Sequence, residues 1–151
     1  MRLALFQPEI AGNVGTILRT AACFGVAVDI IEPCGFAFAE RALKRAGMDY
    51  AAEAECERHA GWHEFAAARQ AARIILFTTK GAAPLPDFAF TSGDILLFGS
   101  ESAGVPPHVH AAADARVVIP LRPGFRSLNL AVAAGIGLGE ALRQTGGFSP
   151  C

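Results

Sequence analysis

Apolar residues along the chain fall into short continuous runs, without the strict alternation of a sheet that has one wet face. Residues 3–6, 26–31, 74–79 and 95–98 are such runs, each bounded by Gly, Pro or charged residues. They predict strands that are apolar on both faces. Helical stretches lie between them. Residues 13–22 open on Asn13, a plausible N-cap; 40–46 end at Gly47; 64–72 are rich in Ala; 106–113 begin with Pro; and 129–143 close the chain. Residues 52–57 and 117–119 predict two further strands. Strands alternating with helices imply an α/β fold, a mostly parallel sheet with helices on both faces. No repeat or linker interrupts the pattern, so one domain over residues 1–151 is expected. Ligands of such sheets bind beyond the carboxyl ends of strands. That singles out the loops after Phe6, Phe77, Phe98 and Ile119.

Composition narrows the class. The chain has 151 residues, 52% of them hydrophobic, with 16 Gly and 9 Pro, as in a globular protein with its own core. The net charge of −1 argues against coating nucleic acid with bulk positive charge. An RNA substrate then requires a local basic patch, a second subunit, or both. Cys23, Cys34, Cys56 and Cys151 form no C-x-x-C pair and have no His at zinc-ligand spacing. Free thiols in a reducing cytoplasm are expected, with no signal peptide and no membrane span, since the apolar stretch 128–138 is too short. His59, His63, His108 and His110 read as solvated side chains, and no metal is expected.

The loops carry the candidate chemistry. After the first strand, Gly12 and Gly15 permit close approach of a partner, and Arg19 follows about two helical turns in. Taken alone, Arg19 reads as a surface arginine. Gly99-Ser-Glu101-Ser-Ala-Gly104 has neither the dinucleotide-binding nor the P-loop spacing. It is either a tight turn with Glu101 in solvent or a backbone cradle for a flat ring. In the third loop Ser127 and Asn129 are both competent helix caps. Gly-x-Ser-x-Gly is absent.

Taken in order, these loops resemble the three motifs of the SPOUT superfamily of RNA methyltransferases. Asn13-x-Gly15-x-x-x-Arg19 resembles the first, and Phe98-Gly99-Ser-Glu101-Ser-Ala-Gly104-Val-Pro106 the second. Ile119-Pro120-Leu121 with Ser127-Leu128-Asn129-Leu130-Ala131 resembles the third. Pro8-Glu9-Ile10, Ile31-Glu32-Pro33, Arg45-Ala-Gly47-Met-Asp49-Tyr50 and Thr78-Thr79-Lys80-Gly81 resemble the small members that methylate the wobble ribose of tRNA, the tRNA (cytidine/uridine-2′-O)-methyltransferases. The chain has Ala11-Gly12 and Val14 where that subgroup frequently has Pro-Pro and Thr.

The resemblance implies a C-terminal deep trefoil knot, a homodimer in the cytoplasm, and S-adenosylmethionine as methyl donor. It implies the anticodon stem–loop of tRNA as substrate, with neither DNA nor membrane as partner. By position, Phe77, Thr78, Gly99, Glu101, Gly104, Ile119, Leu121, Ser127 and Leu128 resemble cofactor contacts. Arg19 is the main catalytic candidate, with Ser127 and Asn129 positioning groups and Glu101 orienting the site. Asn13, Arg19, Lys80 and Arg126 are candidates for substrate binding, while Arg41, Lys44 and Arg45 read equally as a solvated charge set. Gly135 and Gly139 suit close helix packing, either in a dimer or within one subunit. The rivals are a ribosomal RNA 2′-O-methyltransferase, disfavoured because no extra N-terminal RNA-binding domain is expected, and a nonenzymatic nucleotide-binding regulator.

Overall fold

The computed structural model describes residues 1–37, 54–80 and 83–149. The helix expected over 40–46, with Arg41, Lys44 and Arg45, lies outside them. The strands are β1 (Arg2–Phe6), β2 (Ala27–Ile31), β3 (Cys56–His59), β4 (Ile74–Phe77), β5 (Ala83–Pro84), β6 (Ile95–Phe98) and β7 (Ala115–Val118). The helices are α1 (Ala11–Phe24), α2 (Trp62–Ala68), α3 (Pro107–Ala112) and α4 (Leu130–Thr145), with a 3-10 turn at Leu85–Asp87. The strands pair in parallel in the order β3-β2-β1-β6-β4-β7-β5. The expected α/β architecture is present.

Burial explains why the strand runs do not alternate. Leu3, Leu5, Ile75, Leu96 and Phe98 pack against α1 and α4 through Ile17, Leu18, Ala134 and Leu138. Their neighbours Ala4, Phe6, Leu76, Ile95 and Leu97 pack on the other face with Phe65 of α2 and Val109 of α3. Both faces are dry, so both sets of positions are apolar. Register then sets where the loops emerge. Leu5, Phe98, Phe77 and Val117 form one row across β1, β6, β4 and β7, so the segments after these strands leave the same edge of the sheet. β6 also separates β1 from β4, a topological switch point where parallel sheets bind ligands.

Three expectations are corrected. Asn13 does not cap α1, which begins two residues earlier; Ile10 holds the cap position without a side-chain bond. The strand expected over 52–57 is Cys56–His59, shifted toward the carboxyl end where it pairs with β2. His59 is buried, not solvated: its Nε2 lies 2.9 Å from Asp29 Oδ1 and its ring packs edge-on against Phe65. The two-residue β5 and the following 3-10 turn carry no periodicity and were not expected.

Asp29 is fully buried in β2 and accepts hydrogen bonds from Arg2 Nε (2.8 Å) and Arg69 Nη2 (2.7 Å) as well as from His59. Asp29, Glu57 and His59 together have the donor spacing of a metal site. Two guanidinium groups already balance the Asp29 charge, which sets the cluster up as an ion network pinning α2 and the chain start to the sheet. Burial alone would raise the Asp29 carboxyl. Hydrogen bonds from Arg2, Arg69 and His59 outweigh it and hold the group at about 2, below the ordinary 3.8.

A depressed carboxyl contributes stability that is complete above its unfolded value and disappears as pH falls through the folded one. Asp29→Ala is therefore expected to cost about 3 kcal/mol at neutral pH in urea unfolding, since both arginines lose their anion. The gap to wild type should narrow between about pH 4 and pH 2. A gap that stays constant over that interval would reject this account.

Candidate active site

The loops after β1 and β6 clasp each other through two acidic side chains. Gln7, with φ 47, turns the chain sharply out of β1 and sends Pro8-Glu9-Ile10 toward the β6 loop. There the Glu101 carboxylate accepts from the backbone N–H of Glu9 (2.8 Å) and of Ile10 (3.3 Å). In return Glu9 accepts from the backbone N–H of Ser102 (2.8 Å) and its hydroxyl (2.6 Å). Glu101 thus places a negative charge at the N-terminal end of α1, where the helix dipole favours it and Ile10 supplies no cap.

A relay of amides extends this clasp to the third loop. Asn13, buried in the first turn of α1, donates from Nδ2 to Glu101 Oε1 at 2.9 Å. Its Oδ1 accepts from Asn129 Nδ2, also at 2.9 Å. Asn129 Oδ1 caps α4 by accepting from the N–H groups of Ala131 (2.8 Å) and Val132 (3.3 Å). Of the two competent caps, Asn129 is the one used. A carboxylate can only accept and helix-terminal N–H groups can only donate, so both amides are forced into one orientation. The relay joins all three loops.

These loops enclose a cavity of about 590 Å³, within the usual range for small-molecule sites. Every residue expected to touch a cofactor lines it: Phe77, Thr78, Gly99, Glu101, Gly104, Ile119, Leu121, Ser127 and Leu128. Asn13, Asn129, Lys80 and Arg126 line it too. Arg19 does not; it sits on the exposed face of α1. The floor is aromatic, with Phe77 stacked on Phe98 at 4.6 Å between centroids. Gly137 of α4 is required above it, because a Cβ there would stand 2.6 Å from the Phe77 ring.

The wall formed by 99–104 is a folded-back loop. Ser100 and Gly104 exchange backbone hydrogen bonds at 3.0 and 2.9 Å, and Gly104 takes φ +70. A Cβ on Gly99 would lie 2.4 Å from the Gly104 carbonyl carbon, so the close approach requires glycine there. Glu101 is half-buried, not in solvent as a simple turn would leave it. His110 also departs from the solvated reading: it is half-buried in the lining, and its Nδ1 accepts from Arg116 Nε at 3.1 Å. Sequence reasoning also missed the roles of Glu9 and Ser102. Glu9 stood inside a recognised motif, but its partner is 93 residues away.

Residues 1–139 match the SpoU rRNA Methylase family. The chain belongs to that family. Over 151 residues it is 52% identical to the tRNA (cytidine(34)-2'-O)-methyltransferase of Ancylobacter novellus, a match covering 99% of this chain and 96% of that one. A solved structure described as "Structural insights into the 2-OH methylation of C/U34 on tRNA" is similar with a TM-score of 0.89 and 42% identity, covering 95% of this chain and 94% of the other. The AdoMet-bound rRNA methyltransferase from Sinorhizobium meliloti is similar at a TM-score of 0.85 and 30% identity, over 94% of this chain and 55% of that chain.

The relay makes an ordered stability prediction. Asn129→Ala should cost more than the roughly 1 kcal/mol of a lost cap, because Asn13 Oδ1 also loses its donor. Asn129→Asp keeps the cap acceptor but has no donor for Asn13, so it should fall between Asn129→Ala and wild type. Urea midpoints at neutral pH test this order; an aspartate variant as unstable as the alanine one would reject it.

Proposed function

We propose that this chain is a tRNA 2′-O-methyltransferase that moves a methyl group from S-adenosylmethionine to the ribose of the wobble nucleotide, cytidine or modified uridine. The observation that carries the reading is the single relay, Glu101 to Asn13 to Asn129, which draws three distant loops around one cavity. Near-full-length identity to a tRNA (cytidine(34)-2'-O)-methyltransferase supports the substrate. The cavity fits the donor: Phe77, Ile119, Leu121 and Leu128 offer apolar surface to a flat base, and the backbone of 99–104 offers polar groups beside it.

When bound, S-adenosylmethionine supplies a methyl group on a positively charged sulfur. The residues supply placement and a preorganised field. Transfer needs the 2′-oxygen in line with that methyl carbon, and charge is cancelled as the bond forms, so a dry and rigid pocket favours it. Asn129 spends one N–H on Asn13 and keeps the other for a substrate oxygen. Ser127 lies beside it in the lining as a second positioning group. A guanidinium is a planar cation with several N–H donors, which suits Arg19 to stabilising a developing alkoxide and holding the neighbouring phosphate.

Arg19 lies away from this chain's own cavity, which supports a homodimer in which α1 serves a site completed by a second copy. α4 supports the same assembly. Val132 and Ile136 are exposed, and a Cβ on Gly135 or Gly139 would meet nothing within 4 Å, so these glycines serve no packing among the described residues. With Leu85 and Pro86 they form a shallow groove of about 540 Å³. Membership of the SpoU family supports the trefoil knot that the motif resemblance implies, an exception to the usual unthreaded chain. No helix among the described residues is long and apolar enough to cross a membrane. Cys23, Cys34 and Cys56 are free thiols, which supports a reducing cytoplasm.

Purified protein incubated with labelled S-adenosylmethionine and total tRNA is expected to label the wobble ribose. Label confined to ribosomal RNA, or cofactor binding without transfer, would overturn the reading. Arg19→Ala should lower turnover at least a hundredfold while cofactor affinity by calorimetry stays within about threefold, the signature of a group acting in the transition state. Ile136→Glu should convert the dimer to a monomer in sedimentation; an unchanged sedimentation coefficient would reject the α4 interface.

A further inference from the structure

One aromatic side chain at the cavity mouth is used neither by the core nor by the cavity. Phe125 is 72% exposed, the most exposed large apolar side chain among the described residues, and it is absent from the cavity lining. It is not held on a loose loop. Pro123 and Gly124 occupy the centre of a tight turn in which the Phe125 N–H bonds the Arg122 carbonyl at 3.3 Å, and Gly124 takes φ +95. Proline followed by a positive-φ glycine is the signature of a type II turn. The turn sets Arg122 and Phe125 at its two ends, with Arg126 next in the chain and reaching the cavity.

Both arginines are exposed, and no carboxylate among the described residues pairs with either. An exposed aromatic side chain flanked along the chain by two exposed arginines without carboxylate partners among the described residues is complementary to an unpaired nucleobase with its flanking phosphates. Proteins that hold single-stranded RNA stack splayed bases on such rings and bind the backbone with nearby positive charge. In a chain of net charge −1, this turn is also a local concentration of positive charge beside the site. A preformed turn has little conformational freedom left to lose on binding.

We propose that Phe125 is a stacking platform for an unpaired base of the anticodon loop, with Arg122 and Arg126 holding the phosphates on either side. This rests on the methyltransferase reading above and adds the element that grips the RNA loop while the ribose is in the cavity. The turn is then a specificity element: it accepts a loop with a splayed base and rejects a paired stem.

The probe is an anticodon stem–loop RNA carrying 2-aminopurine beside the target nucleotide, added to protein saturated with S-adenosylhomocysteine. Wild type and Phe125→Trp are expected to quench the fluorophore by stacking. Phe125→Ala should bind the RNA about tenfold more weakly, the scale of one base on an aromatic ring, and lose the quenching. Its S-adenosylhomocysteine affinity and its oligomeric state should not change. Arg122→Ala and Arg126→Ala should each lower the salt dependence of binding, and Phe125→Ala should leave it unchanged.

RNA affinity within twofold of wild type in Phe125→Ala would overturn the proposal. A change of oligomeric state would mean that the ring packs on a second copy, and a loss of cofactor affinity would mean that it faces the cofactor; either overturns it. If wild type does not methylate the stem–loop or intact tRNA, the functional reading and this inference fall together. If wild type methylates it and Phe125→Ala does so equally well, only the platform falls.

Discussion

Glu101, Asn13 and Asn129 share a chain of hydrogen bonds whose polarity is fixed at both ends, and the site's geometry depends on it. At one end is a carboxylate, which can only accept; at the other are the first N–H groups of α4, which can only donate. Each amide between them has one orientation available. Neutralising or deleting any member leaves a donor facing a donor, an acceptor facing an acceptor, or a helix end uncapped. Because its members come from the loop after β6, the start of α1 and the start of α4, the relay holds three walls of the cavity at once. Rigid placement of this kind is what methyl transfer between two small groups demands.

The molecule uses charge in two ways. Around Asp29 the charges are mutually satisfied, with two half-buried arginines and a buried histidine converging on one buried carboxylate beneath α2. That cluster is committed to the fold. Around the cavity mouth Lys80, Arg122 and Arg126 are exposed and stand on loops instead of strands. Positive charge is thus concentrated locally in a nearly neutral chain, without the general basicity of proteins that coat nucleic acid.

Glycine explains how the cavity is both close-walled and hollow. Gly99 lets the backbone of the β6 loop fold back onto Gly104, and Gly137 lets α4 settle over Phe77. In each case a Cβ would collide with a neighbour that forms the pocket itself. Gly135 and Gly139, on the open side of the same helix, have no such neighbour among the described residues. One helix therefore closes the site with one glycine and leaves two others on its outer face.

The sequence by itself determined the architecture and the location of the site. Strands buried on both faces are apolar at nearly every position, with the arginine-paired Asp29 the exception, so the runs at 3–6, 26–31, 74–79 and 95–98 announce a parallel sheet between two helical layers. The resemblance of three ordered loops to family motifs named the residues that line the cavity, where local spacing alone offered only turns, helix caps and a surface arginine. Only the tertiary structure decided which of those residues meet. Asn13 looks like a cap from its neighbours in sequence, yet its partners are 88 and 116 residues away and turn it into a bridge. His59 looks solvated until Asp29, 30 residues earlier, is brought beside it in the next strand. Arg19 carries a strong motif, but the fold sets it on the outside of α1, away from its own cavity. Periodicity and spacing report the conformation of a segment, whereas a hydrogen bond between distant segments depends on strand order and register, which no local pattern encodes.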